Sequence, residues 1–157
     1  MRMRKKKNLE SRLAGVGDIL FIADFEDRNF NTATKEKEYF DLQKWFGNNN
    51  PLFLEIGCGK GKFSLEFAKN NPNINLLAVE KSANVITVPC EAAREQGIKN
   101  LKFVKCSAEY LEKFLPNASV EKIFLNFSCP FPKKAYASHR LTHTKFLEIY
   151  KRLLKPG

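Results

Sequence analysis

The stretch LEIGCGKGKF, Leu54 to Phe63, decides the fold. It continues an apolar strand pattern, LFLEIG from Leu52, and runs into a helical one, KFSLEFAKN. Gly57, Gly59 and Gly61 stand at the changeover. Glycine lets a backbone turn sharply and approach a ligand closely, and the helix start beyond it offers free N–H groups. The spacing does not fit the dinucleotide fingerprint, whose third glycine would fall at position 62, where Lys62 stands. It is not a P-loop either, because Gly61 and Lys62 are followed by Phe63. Two readings remain for the turn alone: a ligand-binding loop, or a tight strand-to-helix connection with no ligand.

The pattern downstream repeats the same alternation. INLLAVE reads as a strand, Asn84 to Gln96 as a helix, LKFVK as a third strand, AEYLEKFL as a helical segment and KIFLNF as a fourth strand, with a last helix over Thr142 to Leu154. Pro89 falls inside the second helical pattern and predicts a helix start or a kink there. Strands alternating with helices predict an α/β fold, a parallel sheet with helices on both faces. Glu80 closes the INLLAVE strand about 20 residues beyond the glycine turn, where doubly wound folds place an acid that accepts from two ribose hydroxyls. A solvated charge at a strand end is the plainer alternative.

Upstream the pattern is looser. The first eight residues carry five positive charges and predict a mobile basic arm. DILFIADF is a short apolar group, and EYFDLQKWFG suits an amphipathic helix ended by Gly47. NNNP then breaks the periodicity, which divides the chain into an arm and extension over 1–50 and a ligand-binding domain over 51–157.

The 157 residues fit one core. Lys and Arg outnumber Asp and Glu by 27 to 17, a net charge of +10, which points to a polyanionic partner, nucleic acid ahead of an anionic membrane. Charge for solubility alone is the competing explanation. Cys58, Cys90, Cys106 and Cys129 form no CxxC pair and no finger spacing with His139 and His143, so no metal site is expected. No apolar run is long enough to span a bilayer, and the sequence predicts a cytoplasmic protein with reduced thiols and no membrane partner.

The spacing E-x-G-x-G-x-G resembles the first motif of the class I S-adenosyl-L-methionine-dependent methyltransferases. The resemblance implies a Rossmann-like sheet in which Glu55 attracts the cationic methionine end of the cofactor and Gly57, Gly59 and Gly61 admit its backbone contacts. It also implies that the end of the third strand, KCSAEYL, meets the adenine through Ser107 and Ala108. LNFSCPFPKK, Leu125 to Lys134, narrows the likeness: it is similar to the N-F-S-D-P-W-P-K-K signature of the bacterial tRNA (guanine-N7)-methyltransferase family. MRMRKK at the start, Val79 and Glu80, and HRLTHTKFLEIYKRLLKPG extend it over nearly the whole chain.

That resemblance implies transfer of a methyl group to guanine N7 in tRNA. It adds Asn126 to the cofactor site and puts Lys133 against the RNA. Cys129 falls at the family's catalytic aspartate. Lys133, Lys134, His139 and Arg140 follow in a proline-bent stretch suited to phosphate contacts or simply a solvated basic loop, with Phe131 and Tyr136 able to stack on a base or to pack inside. Departures accompany the match. Cys129 and Ser107 stand where the family has aspartates, Phe131 where it has tryptophan, and AYASHR where it is more basic. The family continues into further strands with T-D and T-x-x-E motifs, whereas this chain reads LLKPG and stops. The fourth strand is then expected to be an open sheet edge, suited to a homodimer, and a non-catalytic cofactor- or RNA-binding paralogue or fragment is the alternative function.

The chemistry tolerates some of these departures. N7 of neutral guanine carries no proton, so its lone pair needs alignment with the methyl carbon and sulfur more than a general base. An aspartate at position 129 favours the positive charge that develops on the ring, and a neutral thiol offers only a weak donor or acceptor. Cys129 also reads as a packing residue. A nucleophilic role is disfavoured, since the order is Cys-Pro and no basic group is clearly placed to form a thiolate.

Overall fold

The computed structural model describes residues 4–23, 34–126, 133–134, 140 and 142–157. Among these, β2 (Leu52–Ile56) is an inner strand of a five-stranded parallel sheet. It pairs with β3 (Asn75–Glu80) from Leu52 opposite Asn75 to Ile56 opposite Val79. β3 pairs with β4 (Leu101–Lys105), Glu80 facing Lys105 at the end of the ladder. β5 (Lys122–Phe124) lies on the other side of β2, Phe124 opposite Glu55. With β1 (Leu20–Ile22) at one edge, the strand order is β1-β4-β3-β2-β5, so the chain steps outward from β2 and then returns to its far side. In open α/β sheets that reversal leaves a crevice beyond the strand ends, here those of β2 and β5.

β1 (Leu20–Ile22) is an addition to the four strands expected. Its three residues run parallel to β4, with Leu20 opposite Phe103, and Phe103 N–H donates to the Ile19 carbonyl at 2.8 Å. Burial of Ile19 and Leu20 against the sheet makes a strand of a run too short to read from periodicity.

The side-chain alternation of β3 divides the core. Leu77 and Val79 join Leu54, Ile56 and Val104 on one face, under Phe46, Leu111, Phe146, Ile149 and Leu153. Leu76 and Ala78 point the other way, to Ile86, Cys90, Ala93, Leu101 and Phe103. Helices therefore cover both faces of the sheet. The first face carries α2 (Leu42–Phe46), α5 (Leu111–Phe114) and α6 (Thr144–Leu153). The second carries α1 (Leu9–Ala14), α3 (Lys62–Asn70) and α4 (Ala83–Glu95). Burying a leucine such as Leu76 or Leu77 contributes roughly 1.5–3 kcal/mol.

Local chemistry moves several boundaries. α2 is shorter than EYFDLQKWFG suggests, because Asp41 caps it by accepting from Lys44 N–H at 3.1 Å and Gly47 ends it at φ 79°. Glu38 and Phe40 instead donate their N–H groups to the carbonyls of Lys113 and Phe114. α6 begins at Thr144 rather than Thr142 because the His143 ring, through Nδ1, accepts from Lys145 N–H at 3.3 Å. AEYLEKFL forms a 3-10 turn, Ala108–Tyr110, before α5.

α4 begins at Ala83, one residue before the expected Asn84, and continues through Pro89 rather than starting there. An interior proline costs a helix roughly 3 kcal/mol relative to alanine. Tertiary packing offsets that cost, since Ile86, Thr87, Pro89, Cys90 and Ala93 are all buried. The start of the same helix holds the basic arm. Asn84 Nδ2 donates to the Arg4 carbonyl at 3.1 Å, and Lys6 N–H donates to Asn84 Oδ1 at 2.9 Å.

Candidate cofactor site at the strand ends

Because the strands are parallel, the residues at or just beyond their C-terminal ends come to one edge of the sheet: Glu55, Glu80, Ser107 and Asn126. Glu55 is the fourth residue of β2 and fully buried. Both of its oxygens have partners. Ser64, buried in α3, donates its hydroxyl to Oε1, and Asn126 donates from Nδ2 to Oε2 at 3.0 Å. Burial pushes the Glu55 carboxyl above its ordinary range, with the Ser64 and Asn126 hydrogen bonds opposing.

The glycine turn follows directly. Gly57 and Cys58 both donate their N–H groups to the Val79 carbonyl, at 2.8 and 3.0 Å, which pins the turn to the end of β3. Gly57, Gly59 and Gly61 lie at φ 78°, 56° and 79°, in the left-handed region that glycine adopts without steric cost. A Cβ on Gly59 would meet nothing within 4 Å, so the turn is open there. At Gly61, the N-terminal cap of α3, a Cβ would lie 2.3 Å from Pro89 Cβ.

Glu80, half-buried at the end of β3, receives the Ser82 N–H at 2.8 Å, which holds the carboxylate at the strand end. Half-buried Ser107 donates its hydroxyl to Glu109 Oε2 at 3.0 Å, and Lys145 of α6 lies 3.5 Å from Oε1 of the same carboxylate. Ala108 is buried beside them. The Ser64 and Glu109 contacts were not read from the sequence; a serine and a glutamate on helical segments carry no signal there beyond their polarity.

Cys58 is buried among apolar neighbours, and burial raises its thiol well above the ordinary range, with the Glu55 and Glu80 charges adding to the rise. Burial lifts Cys106 to about 12. Neither is a thiolate at neutral pH. Cys129 lies outside the described residues, as do Phe131, Tyr136 and His139. Lys133 and Lys134 are exposed, and half-buried Arg140 accepts the His143 N–H on its carbonyl at 2.9 Å.

Hollows lie in other places, among them a cleft of about 320 Å³ lined by Arg12, Gly15, Val16, Glu91, Arg94 and Glu95. A cleft of about 210 Å³ lined by Gly17, Leu20, Phe21, Phe40, Asp41 and Trp45 lies beside the start of β1. The strand ends carry the better case, because paired carboxylates, glycine backbone and helix N–H groups converge there.

Residues 49–157 match the family model described as a putative methyltransferase. A tRNA (guanine-N(7)-)-methyltransferase of Macrococcus caseolyticus is 36% identical over 98% of this chain and 68% of its own length. The chain belongs to the tRNA (guanine-N7)-methyltransferase family. The enzyme of that name from Listeria monocytogenes is 45% identical over 71% of this chain and 52% of its own length. This family member thus spans between half and about two thirds of the curated relatives it matches. A SAM-dependent methyltransferase from Aquifex aeolicus, 23% identical, shares the fold at a TM-score of 0.53 over 83% of this chain and 69% of its own. The Rossmann-like sheet expected of a class I methyltransferase is therefore present, with β5 at an edge among the described residues. No described helix of this family member is long and apolar enough to cross a membrane.

Proposed function

We propose that this chain binds S-adenosyl-L-methionine along the C-terminal edge of its sheet and serves in the transfer of its methyl group to N7 of a guanine in tRNA. The observation that carries the reading is the turn from Gly57 to Gly61, open at Gly59 and flanked by Glu55 and Glu80 on neighbouring strands. The names of the relatives supply the substrate, and the net charge of +10 suits it. A tRNA substrate also supports a cytoplasmic setting.

The residues present fit the cofactor. Gly59 leaves room for a ligand against the backbone, and Glu80 is an acceptor at the position that suits a ribose diol. Ser107 and Ala108 border the place for an adenine, and Asn126 spans from the end of β5 to Glu55. S-adenosyl-L-methionine supplies an activated methyl on a sulfonium. The chain's own task is to orient: N7 carries no proton to remove, so positioning provides most of the assistance. Lys133 and Arg140 suit phosphate contacts in the RNA, and Cys129 stands where an acid would favour the charge on the methylated ring. In this division 51–157 is the cofactor-binding unit, and 1–50 supplies the basic arm and the edge strand.

One feature favours a second reading, a non-catalytic paralogue or fragment that binds cofactor or RNA: cysteine at position 129. Among the described residues β5 is an edge strand, preceded by the bridge of Val120 to Leu154, and a homodimer through that edge is tested by light scattering, where only monomer at high concentration removes it. Calorimetry with S-adenosyl-L-methionine, followed by mass spectrometry of tRNA incubated with labelled cofactor, tests the rest. Binding together with N7-methylguanine supports the enzyme, binding without product supports the second reading, and no binding rejects both cofactor readings.

A further inference from the structure

We infer that Pro89 is a positioning residue for the glycine turn: its ring braces Gly61 from α4 and holds the turn in the shape that receives the cofactor. The inference rests on the S-adenosyl-L-methionine reading above and adds a residue from outside the motif. A Cβ built on Gly61 would lie 2.3, 3.2 and 3.5 Å from Pro89 Cβ, Cγ and Cα, so the proline covers that face of the glycine. Gly59 has nothing within 4 Å on the equivalent side. The turn is thus braced at one glycine and open at the next.

Gly61 is a sensitive place to press. Its N–H donates to the Cys58 carbonyl at 3.0 Å, closing the turn, and its carbonyl accepts from Leu65 N–H at 2.9 Å, opening α3. The other end of the turn is fixed by the two N–H groups on the Val79 carbonyl. Tilting Gly61 therefore moves the free N–H groups at the start of α3 relative to Glu55 and Glu80. Proline suits the task because its ring is rigid and cannot rotate away as an open aliphatic chain does. It sits in a helix interior, where its missing N–H and its ring act against the helix. Alanine suits α4 better and the brace worse, since it keeps Cβ but lacks Cγ and Cδ.

That opposition supplies the test. Calorimetric titration of S-adenosyl-L-methionine is compared with thermal melting for the wild-type chain and Pro89→Ala. The expected result is a melting temperature equal to or above wild type, together with a Kd for the cofactor at least five-fold weaker. A melting temperature that holds or rises with an unchanged Kd overturns the inference, because the proline is then packing alone. A lower melting temperature overturns it as well, whatever the Kd, because the residue is then structural. A double-mutant cycle gives the second readout: the loss of affinity caused by Gly61→Ala shrinks at least three-fold in a Pro89→Gly background, and additive losses reject the brace. If Pro89→Gly does not fold, the Pro89→Ala pair of measurements decides alone. A wild-type chain that does not bind the cofactor rejects the functional reading itself, and the brace falls with it.

Discussion

Asn126 donates from its side-chain amide to Glu55 Oε2 at 3.0 Å, tying the second residue beyond β5 to the end of β2 across the reversal of the sheet. Ser64 holds the other oxygen from α3. Three segments that border the strand-end crevice therefore meet at one buried carboxyl group.

This arrangement gives Glu55 a pH signature. Burial raises its folded pKa above the ordinary 4.5, so the folded chain holds this proton more tightly than the unfolded chain does. The stabilisation is complete below the unfolded pKa and is lost as pH rises through the raised folded value. Glu55→Gln keeps the shape without a titrating group, and the Asn126 amide and Ser64 hydroxyl can turn to match it. Thermal melts of the two proteins from pH 4 to 8 should converge or cross in favour of the variant toward the alkaline end. Parallel curves would show that Glu55 is not a raised carboxyl.

Gly59→Ala and Gly61→Ala should separate binding from folding. Both need a left-handed alanine, at roughly 1–2 kcal/mol. Only the second drives a methyl into Pro89, which adds about 1–3 kcal/mol for overpacking. Gly59→Ala should melt a few degrees below wild type yet lose cofactor affinity at least ten-fold, because its methyl enters the open side of the turn. Gly61→Ala should melt markedly lower. Equal melting temperatures for the two would contradict the close approach of α4.

Much of this edge was readable in advance, because β2, β3 and β4 are apolar runs bounded by turn residues and the glycines mark where β2 gives way to α3. β1 was not readable: Leu20–Ile22 is a strand only because Leu20 and Ile19 pack beside Phe103. A helix start at Pro89, one of the two outcomes the proline offers, is not used for a related reason: local propensity opposes a helix that burial on the sheet maintains. Glu55, Glu80, Ser107 and Asn126 were named by motif and do gather at one edge, but Ser64 reaches Glu55 only once α3 is packed. Cys129, Phe131, Tyr136 and His139 lie outside the described residues.

The Asn84 clasp places the basic arm beside the helix that follows Glu80, so arm and cofactor edge share a rim. Asn84→Ala removes both side-chain hydrogen bonds to the arm and leaves every charge in place. Its affinity for tRNA, measured by filter binding, should fall several-fold at low salt, and the difference should narrow as salt screens the arm's phosphate contacts. Cofactor affinity should stay within two-fold of wild type. Unchanged tRNA binding at low salt would detach the arm from RNA recognition.

Cys129→Asp tests the least typical residue of the signature. On the proposed reading a carboxylate there would supply a full negative charge beside the guanine that becomes cationic on N7, whereas the thiol is neutral unless a base ionises it. Removing one well-placed electrostatic group commonly costs about 10²–10³ in rate, and restoring one recovers at most a comparable factor. We expect the substitution to raise N7-methylguanine formation at least ten-fold without changing cofactor Kd, measured by mass spectrometry of tRNA and by calorimetry. An aspartate variant that binds cofactor normally yet forms no more product than the parent would place the deficit elsewhere, in the guanine pocket. That outcome favours the non-catalytic reading over the enzymatic one.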